Sequence, residues 1–255
     1  LPNGRRIFNV AIRTIQLHRE QAIYGVGGGI TWDSTWESEY REVQQKAAVL
    51  YRKQPRFQLI TTGKISQKTL LFENQHLERL QKASRYFAFP FDAEDLRQKI
   101  DKECQVCDLH QDYRLRISLS KSGEIEIERQ VLTPLSSSFC QAKLCLQEAD
   151  LQQAFTYFKT THRPHLTVGE QEIIYHTADG KLLETSIGNL VLKMDGKLYT
   201  PPSTFGILPG IYRQHLLEIG QVEEKALTIE DLKRAEVIYG CNAVRGLYEL
   251  SVKEN

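Results

Sequence analysis

The chain switches repeatedly between the 3.6-residue hydrophobic period of a helix and the two-residue period of a strand. Helical spacing predicts one helix over about 36–50, one after Asn74, one starting near Asp92, one opened by Pro209-Gly210 and ended by Gly220, and a short one around Asp231. Strand-like alternation is found at residues 8–13, 21–24, 57–62, 69–72, 114–120, 124–131, 143–147, 155–161, 171–177, 189–194 and 236–239. The mixture predicts an α+β or α/β fold.

Turn signals and composition divide the chain into three units. Residues 1–52 form the first, and Pro55 closes it. The second covers residues 56–132 and contains a hairpin around Ser122-Gly123. The stretch 133–138, Thr-Pro-Leu-Ser-Ser-Ser, is linker-like, so we place a boundary there. The third unit, residues 139–255, contains two strong hairpin signals, Asp179-Gly180 and Asp195-Gly196.

Size and charge exclude several classes of protein. The 255 residues are 41% hydrophobic, which is enough for one large or two smaller cores. The net charge is +1 and no basic block suggests nucleic-acid binding. No apolar run approaches the ~20 residues of a membrane helix, and no signal peptide is visible, so we expect a cytoplasmic protein. The chain begins with Leu1 rather than Met, which suggests a fragment or processed product.

The five cysteines argue against a secreted disulfide framework. Cys104 and Cys107 have the spacing of a metal-binding pair, but Cys140 and Cys145 are too far apart to complete a good zinc site. Leu96, Ile100, Cys104 and Cys107 fall instead on one helical stripe. A buried helix face is therefore the favoured interpretation.

Lys159 is the strongest candidate for chemistry. Most lysines are solvated surface groups, but Phe155, Tyr157 and Lys159 would share one face of the strand predicted at 155–161. An ammonium group among aromatic rings loses water and gives up its proton more easily. A neutral amine can then attack an aldehyde.

Three further groups would suit a phosphate-bearing aldehyde cofactor. Glu184 follows the Asp179-Gly180 turn and could hold a protonated ring nitrogen, although a solvated turn carboxylate is the simpler interpretation. The helix start at Gly210 offers free amides to a phosphate. Arg79 could pair with the same phosphate or with a neighbour on an amphipathic helix surface.

In their order and spacing these residues resemble the fold-type IV pyridoxal-phosphate (PLP) enzymes, over about residues 56–252. The motifs are His76-Leu-Glu-Arg79-Leu80, the lysine after the linker, Glu184-Thr-Ser-Ile-Gly-Asn189, and Leu208-Pro-Gly-Ile211. The resemblance implies a two-domain fold in which Lys159 binds the cofactor aldehyde and Glu184 meets its ring nitrogen. It also implies a phosphate site made of Arg79, Ile211, Tyr212 and Asn242.

The family contains branched-chain aminotransferase, D-amino-acid aminotransferase and 4-amino-4-deoxychorismate lyase. The stretches 159–163, Lys-Thr-Thr-His-Arg, and 242–246, Asn-Ala-Val-Arg-Gly, are most similar to the lyases. This implies release of 4-aminobenzoate and pyruvate from 4-amino-4-deoxychorismate, in folate synthesis, by a homodimer. Thr62 would assist proton transfer, and Lys64 replaces an arginine common in relatives.

Residues 1–52 are similar to the carboxy-terminal end of chorismate-binding synthases, closely so to aminodeoxychorismate synthase component I. That resemblance implies chorismate contacts from Arg13, Gly28 and Lys46 and a magnesium ligand in Glu42, in a site that is incomplete here. An i,i+4 salt bridge is the simpler interpretation of Glu42 and Lys46. A synthase–lyase fusion with a glutamine amidotransferase partner would follow.

Two other functions stay open. The first is an aminotransferase for branched-chain or D-amino acids, using the same cofactor. The second is a non-catalytic fragment or scaffold that binds a partner through its synthase-like end, with Trp36, Tyr40 and Val43 exposed.

Overall fold

A computed structural model describes residues 14–51, 55–135, 140–147, 153–169 and 171–252. The strand predicted at 8–13, the predicted chorismate contact Arg13 and part of the predicted linker lie outside these ranges. The chain forms two compact units, Leu1–Pro55 and Arg56–Asn255.

The described part of the first unit is a hairpin followed by one helix. Strands β1 (Ile15–His18) and β2 (Gln21–Tyr24) pair antiparallel, and α1 (Trp36–Tyr51) follows. The predicted strand at 21–24 and the predicted helix are confirmed, whereas β1 was not predicted. Helix α1 has no buried residue, and the side chains of Trp36 and Tyr40 are exposed.

The second unit contains a four-stranded antiparallel sheet covered by two helices. Its elements are β3 (Leu59–Ser66), β4 (Thr69–Leu70), α2 (Glu73–Phe87), α3 (Ala93–Gln105), β5 (Tyr113–Leu119) and β6 (Ile125–Val131). The strand order is β4-β3-β5-β6. Asp92 caps α3, because its side chain accepts hydrogen bonds from the backbone amides of Glu94 and Asp95, as its position predicts. The apolar stripes of both helices pack on the sheet and form one core.

An eight-stranded mixed sheet makes up the rest of this unit. Its elements are β7 (Gln141–Leu146), α4 (Gln153–Tyr157), β8 (Glu172–His176), β9 (Leu182–Thr185), β10 (Asn189–Met194), β11 (Lys197–Thr200), α5 (Ile211–Glu218), β12 (Glu223–Glu224), α6 (Ile229–Arg234), β13 (Val237–Asn242) and β14 (Gly246–Val252). The order is β12-β11-β10-β13-β14-β7-β8-β9. Positive φ angles at both Asp195 (49°) and Gly196 (72°) form the predicted tight turn between β10 and β11.

The strand predicted at 155–161 is wrong. Residues 153–157 form the short helix α4, and Thr160 makes only an isolated bridge with Leu59. The ring of Phe155 packs against the rings of Phe57 and Phe87, at the edge of the core beneath the four-stranded sheet. A five-residue stretch is too short for its hydrophobic period to separate a helix from a strand.

The described residues contain neither a cluster of metal-binding side chains nor a membrane-spanning helix. No group of three or more His, Cys, Asp or Glu side chains is arranged to hold a metal ion in this part of the chain. Leu96, Ile100, Cys104 and Cys107 are all buried, as the helical stripe predicts. No helix within the described ranges has the length and hydropathy to cross a membrane.

Substituting Gly63 by Ala should destabilise the second unit. A Cβ at Gly63 would lie 2.6 Å from Nε2 of the buried His76 and 2.8 Å from Leu70 Cδ1. Overpacking of this kind costs about 1–3 kcal/mol. Denaturant unfolding measures the loss, with Gly169→Ala as the matched control because nothing lies within 4 Å of its Cβ position. Equal stability of the two variants would contradict this packing.

Candidate active site

A cavity of about 570 Å³ lies within the second unit, and residues of both sheets line it. This volume falls in the range of pockets for small ligands. The walls come from β3 and β5, from residues 159–168, from the loop 184–189, from the start of α5 and from the turn 241–245. The lining includes Thr62, Arg79, Lys159, Glu184, Ile211 and Asn242. Sequence motifs that are far apart in the chain therefore meet in one place.

Lys159 is held by its main chain against β3. Its carbonyl oxygen accepts the Ile60 amide at 2.9 Å, and Thr161 donates its amide to Gln58 O at the same distance. Burial, followed by the charges of Arg163 and Arg79, lowers the pKa of Lys159 to about 7. Loss of water, the cause expected from the sequence, makes the largest contribution, and the charged neighbours that add to it are guanidinium groups.

Glu184 is a buried carboxylate in β9, not a solvated turn residue. Its Oε1 accepts the Leu208 amide at 3.3 Å and pairs with Arg163 Nη2 at 3.2 Å. Burial raises the pKa of Glu184, and Arg163 makes the largest opposing contribution. The group faces the same cavity as Lys159.

The loop before α5 is fixed from three sides. Glu184 binds the amide of Leu208, Asn189 Nδ2 donates to its carbonyl oxygen at 2.8 Å, and Arg79 Nη2 donates to Pro209 O at 2.7 Å. A Cβ at Gly210 would overlap Asn189 Oδ1, so only glycine fits there. The loop therefore presents the start of α5 to the cavity, and Gly210 gives that first turn no side-chain cap.

Of three further residues singled out in the sequence, Asn242, Tyr212 and Lys64, only Asn242 lines the cavity. Asn242 lines the cavity, and its Oδ1 accepts the amides of Val244 and Arg245. Tyr212 is not among the lining residues, and its ring meets Phe72 edge-on. Lys64 forms an ion pair with Asp112 at 2.9 Å and does not line the cavity either.

A buried histidine, His76, links α2 to the strand that carries Thr62. His76 Nδ1 lies 2.6 Å from Thr61 Oγ1, which joins α2 to β3 beside Thr62. Burial and the charges of Arg79 and Lys159 lower the pKa of His76 to about 3, so the ring is neutral. In the sequence, His76 was marked only by its place in the motif that contains Arg79.

Four arginines of the cavity were not among the predicted site residues: Arg114, Arg116, Arg163 and Arg245. With Arg79 and Lys159 they make six basic side chains around the single acidic one, Glu184. Arg114 and Arg116 are two apart on β5, so both face the cavity. That spacing was a signal in the sequence, whereas Arg163 and Arg245 lie in irregular segments with no period to reveal them.

The structure describes three residues of the predicted chorismate site, Gly28, Glu42 and Lys46, all in the first unit. Lys46 Nζ donates to Gly27 O at 2.8 Å and pairs with Glu42 at 2.5 Å. A Cβ at Gly28 would lie 3.0 Å from Glu39 Oε2, so the glycine loop contacts the acidic face of α1. Glu42 and Lys46 thus form the simple i,i+4 pair, and their chorismate and magnesium roles stay predictions.

The cavity residues fit the cofactor that the sequence resemblance implies. The cofactor has an aldehyde, a ring nitrogen and a phosphate. The cavity offers a lysine with a lowered pKa for the aldehyde and a buried carboxylate for the ring nitrogen. An uncapped helix start beside Arg79 is available to the phosphate. Their assignment to those roles stays a prediction.

The chain matches two family models. The model described as "Amino-transferase class IV" matches residues 58–251, and the model described as "chorismate binding enzyme" matches residues 1–52. Among curated relatives, an uncharacterised Haemophilus influenzae protein is 36% identical over 69 residues, or 27% of this chain and 36% of that protein. Aminodeoxychorismate lyase of Saccharomyces cerevisiae is 25% identical over 193 residues, or 55% of this chain and 52% of that enzyme. The chain thus spans about half or less of these relatives' lengths.

Solved structures share the fold. A Mesorhizobium loti protein assigned as an amino-acid aminotransferase has a TM-score of 0.69 and 26% identity, covering 77% of this chain and 100% of that one. A Haemophilus somnus protein assigned as a 4-amino-4-deoxychorismate lyase has a TM-score of 0.61 and 24% identity, covering 76% and 100%. A hypothetical Mycobacterium tuberculosis aminotransferase in its PLP-bound form has a TM-score of 0.62 and 18% identity, covering 77% and 81%.

In the cofactor-free folded protein, Lys159 should react with an amine-selective acylating reagent at unusually low pH. Its modification, followed by peptide mass spectrometry, should reach half its maximal rate near pH 7, because its pKa is lowered to about 7 from 10.5. The same lysine in denatured protein is the control and should titrate near the higher value. Identical titration in both states would contradict the buried, cation-flanked position.

Proposed function

Because the chain belongs to the class IV aminotransferase family, we propose that it is a PLP-dependent lyase that converts 4-amino-4-deoxychorismate into 4-aminobenzoate and pyruvate. The observation that carries this proposal is the composition of the cavity: Lys159 and Glu184 sit among five arginines. The first two residues suit the cofactor, and the excess of positive charge suits a substrate with two carboxylates.

PLP, when bound, supplies an aldehyde for the substrate amine and an electron-withdrawing ring. Lys159 holds the aldehyde, and its lowered pKa keeps the amine nucleophilic near neutral pH. Arg79 and the first amides of α5 bind the phosphate, since Arg79 already contacts the loop that presents those amides. Glu184 would accept a hydrogen bond from the protonated ring nitrogen and so keep that nitrogen protonated.

Once the substrate amine has replaced Lys159 at the aldehyde, the freed Lys159 amine would act as the general base that removes the proton from the substrate ring carbon bearing the nitrogen. A neutral amine is required for this step, and burial beside Arg163 and Arg79 favours that state. Thr62 lies on β3 and lines the same cavity, so its hydroxyl can pass a proton between Lys159 and the substrate. Loss of the enolpyruvyl group is driven by formation of the aromatic product.

Two carboxylates on the substrate explain the remaining arginines. Arg114, Arg116 and Arg245 line the cavity, and none of them forms an ion pair with a carboxylate within the described residues. Burial and the charge of Arg116 lower the pKa of Arg114, so these guanidinium groups repel one another. A dianionic substrate relieves that repulsion.

The named relatives support this substrate. The yeast relative is an aminodeoxychorismate lyase, although the chain covers only 52% of its length. Residues 1–52 match a chorismate-binding family, whose product in a synthase–lyase fusion would be the lyase's substrate. The homodimer, the amidotransferase partner and the magnesium role of Glu42 stay predictions.

An aminotransferase is the second candidate, favoured by the structural likeness to the Mesorhizobium loti protein. With an amino acid alone, an aminotransferase converts bound PLP to the pyridoxamine form, which a lyase does not. The absorption spectrum therefore separates the two functions. A chain that takes up no PLP would support the scaffold function instead.

Replacing Arg116 by Gln should raise the KM for 4-amino-4-deoxychorismate about 10-fold to 100-fold, because one charged hydrogen bond to a carboxylate is lost. Steady-state assay of 4-aminobenzoate formation measures this change.

Lys159→Ala should abolish product formation while the fold, measured by circular dichroism, is retained.

The control for Arg116 is Arg129→Gln, since Arg129 pairs with Glu103 and does not line the cavity. Its KM should match that of the wild type. Product formation by Lys159→Ala at the wild-type rate, or an unchanged KM in Arg116→Gln, would contradict the assigned roles.

A further inference from the structure

Arg163 occupies a defined place four residues after Lys159. Between them, Thr160 is buried and donates its hydroxyl to His162 O at 2.8 Å, and Arg163 O accepts the Leu166 amide at 3.1 Å. These bonds fix the main chain on both sides of Arg163 in a segment without regular secondary structure. The guanidinium group is thereby directed into the cavity.

The partner of Arg163 is Glu184. Nη2 and Oε1 are 3.2 Å apart, and only 14% of the arginine side chain and 4% of the glutamate side chain are exposed. The Leu208 amide reaches the same oxygen, Oε1, and no described residue donates to Oε2. One carboxylate oxygen is therefore committed to the protein, and the other is left for a ligand.

Glu184 also acts on Lys159, since its negative charge raises the pKa of the amine against the lowering effects of burial and of Arg163 and Arg79. The charged and titratable groups facing its amine are His76, Arg79, Arg116, Arg163 and Glu184. Glu184 is the only anion in that set, so it is the one group that could trap the ammonium in an ion pair. A trapped ammonium is protonated and cannot attack an aldehyde.

We propose that Arg163 is a positioning residue that pairs with Glu184 and so prevents the carboxylate from forming an ion pair with Lys159. This deepens the proposed function, on which it rests. The pair favours the ionised form of Glu184, leaves Oε2 available to a cofactor's ring nitrogen, and keeps the Lys159 amine free. Burial is the largest cause of the lowered pKa of Lys159, and the positive charges of Arg163 and then Arg79 make the next largest contributions.

The titration of Lys159 in cofactor-free protein tests this role without any assay of activity. Arg163→Gln keeps a hydrogen-bond donor but removes the charge, so the pKa of Lys159 should rise by about one unit or more as Glu184 becomes available. Arg163→Lys retains a cation and should leave the pKa close to that of the wild type. In a double-mutant cycle, Glu184→Gln should lower the pKa of Lys159 more in the Arg163→Gln background than in the wild type.

Arg245→Gln is the matched control, because Arg245 lines the cavity but is not among the groups that shift the pKa of Lys159. An unchanged pKa in Arg163→Gln would overturn the inference, and so would an equal effect of Glu184→Gln in the wild-type and Arg163→Gln backgrounds. PLP binding is measured separately by absorbance of the wild-type chain. Its failure would overturn the proposed function, whereas the lysine titration still decides the role of Arg163.

Discussion

One buried carboxylate, Glu184, balances a cavity in which every other charged side chain is positive. Taking an isolated charge out of water costs several kcal/mol, so a cluster of six basic groups persists only where anions or hydrogen bonds compensate it. Glu184 pairs with Arg163, while Arg79 and Arg245 donate to the carbonyl oxygens of Pro209 and Thr133. The charge of Glu128 also acts on Arg114, and the cavity lining keeps an excess of positive charge.

The same carboxylate also organises the loop before α5. Its contact with the Leu208 amide is matched by that of Asn189 with the Leu208 carbonyl, so β9 and β10 hold the loop together. Arg79 lies on α2 and donates to the carbonyl oxygen of Pro209, the next residue of the same loop. This bond joins the helices that cover the four-stranded sheet to the eight-stranded sheet at the cavity. Fold and site are therefore stabilised by a shared set of hydrogen bonds.

Much of this arrangement could be predicted from sequence, because the signals were local. The Asp195-Gly196 turn and the Asp92 cap depend on residues within a few positions, and both formed as expected. The segment before Lys159 could not, since five residues carry no clear period and the rings of Phe155 and Phe57 settle its conformation through a distant contact. Arg163 was missed for a related reason: its importance depends on Glu184, which lies twenty-one residues away.

The most direct test of the account is the site of covalent cofactor attachment. The chain is incubated with PLP, reduced with borohydride and digested, and the labelled peptide is sequenced by mass spectrometry. The account predicts a single pyridoxyl group on Lys159, with no label in the Lys159→Ala variant. A label on another lysine, or none after reduction, would contradict it.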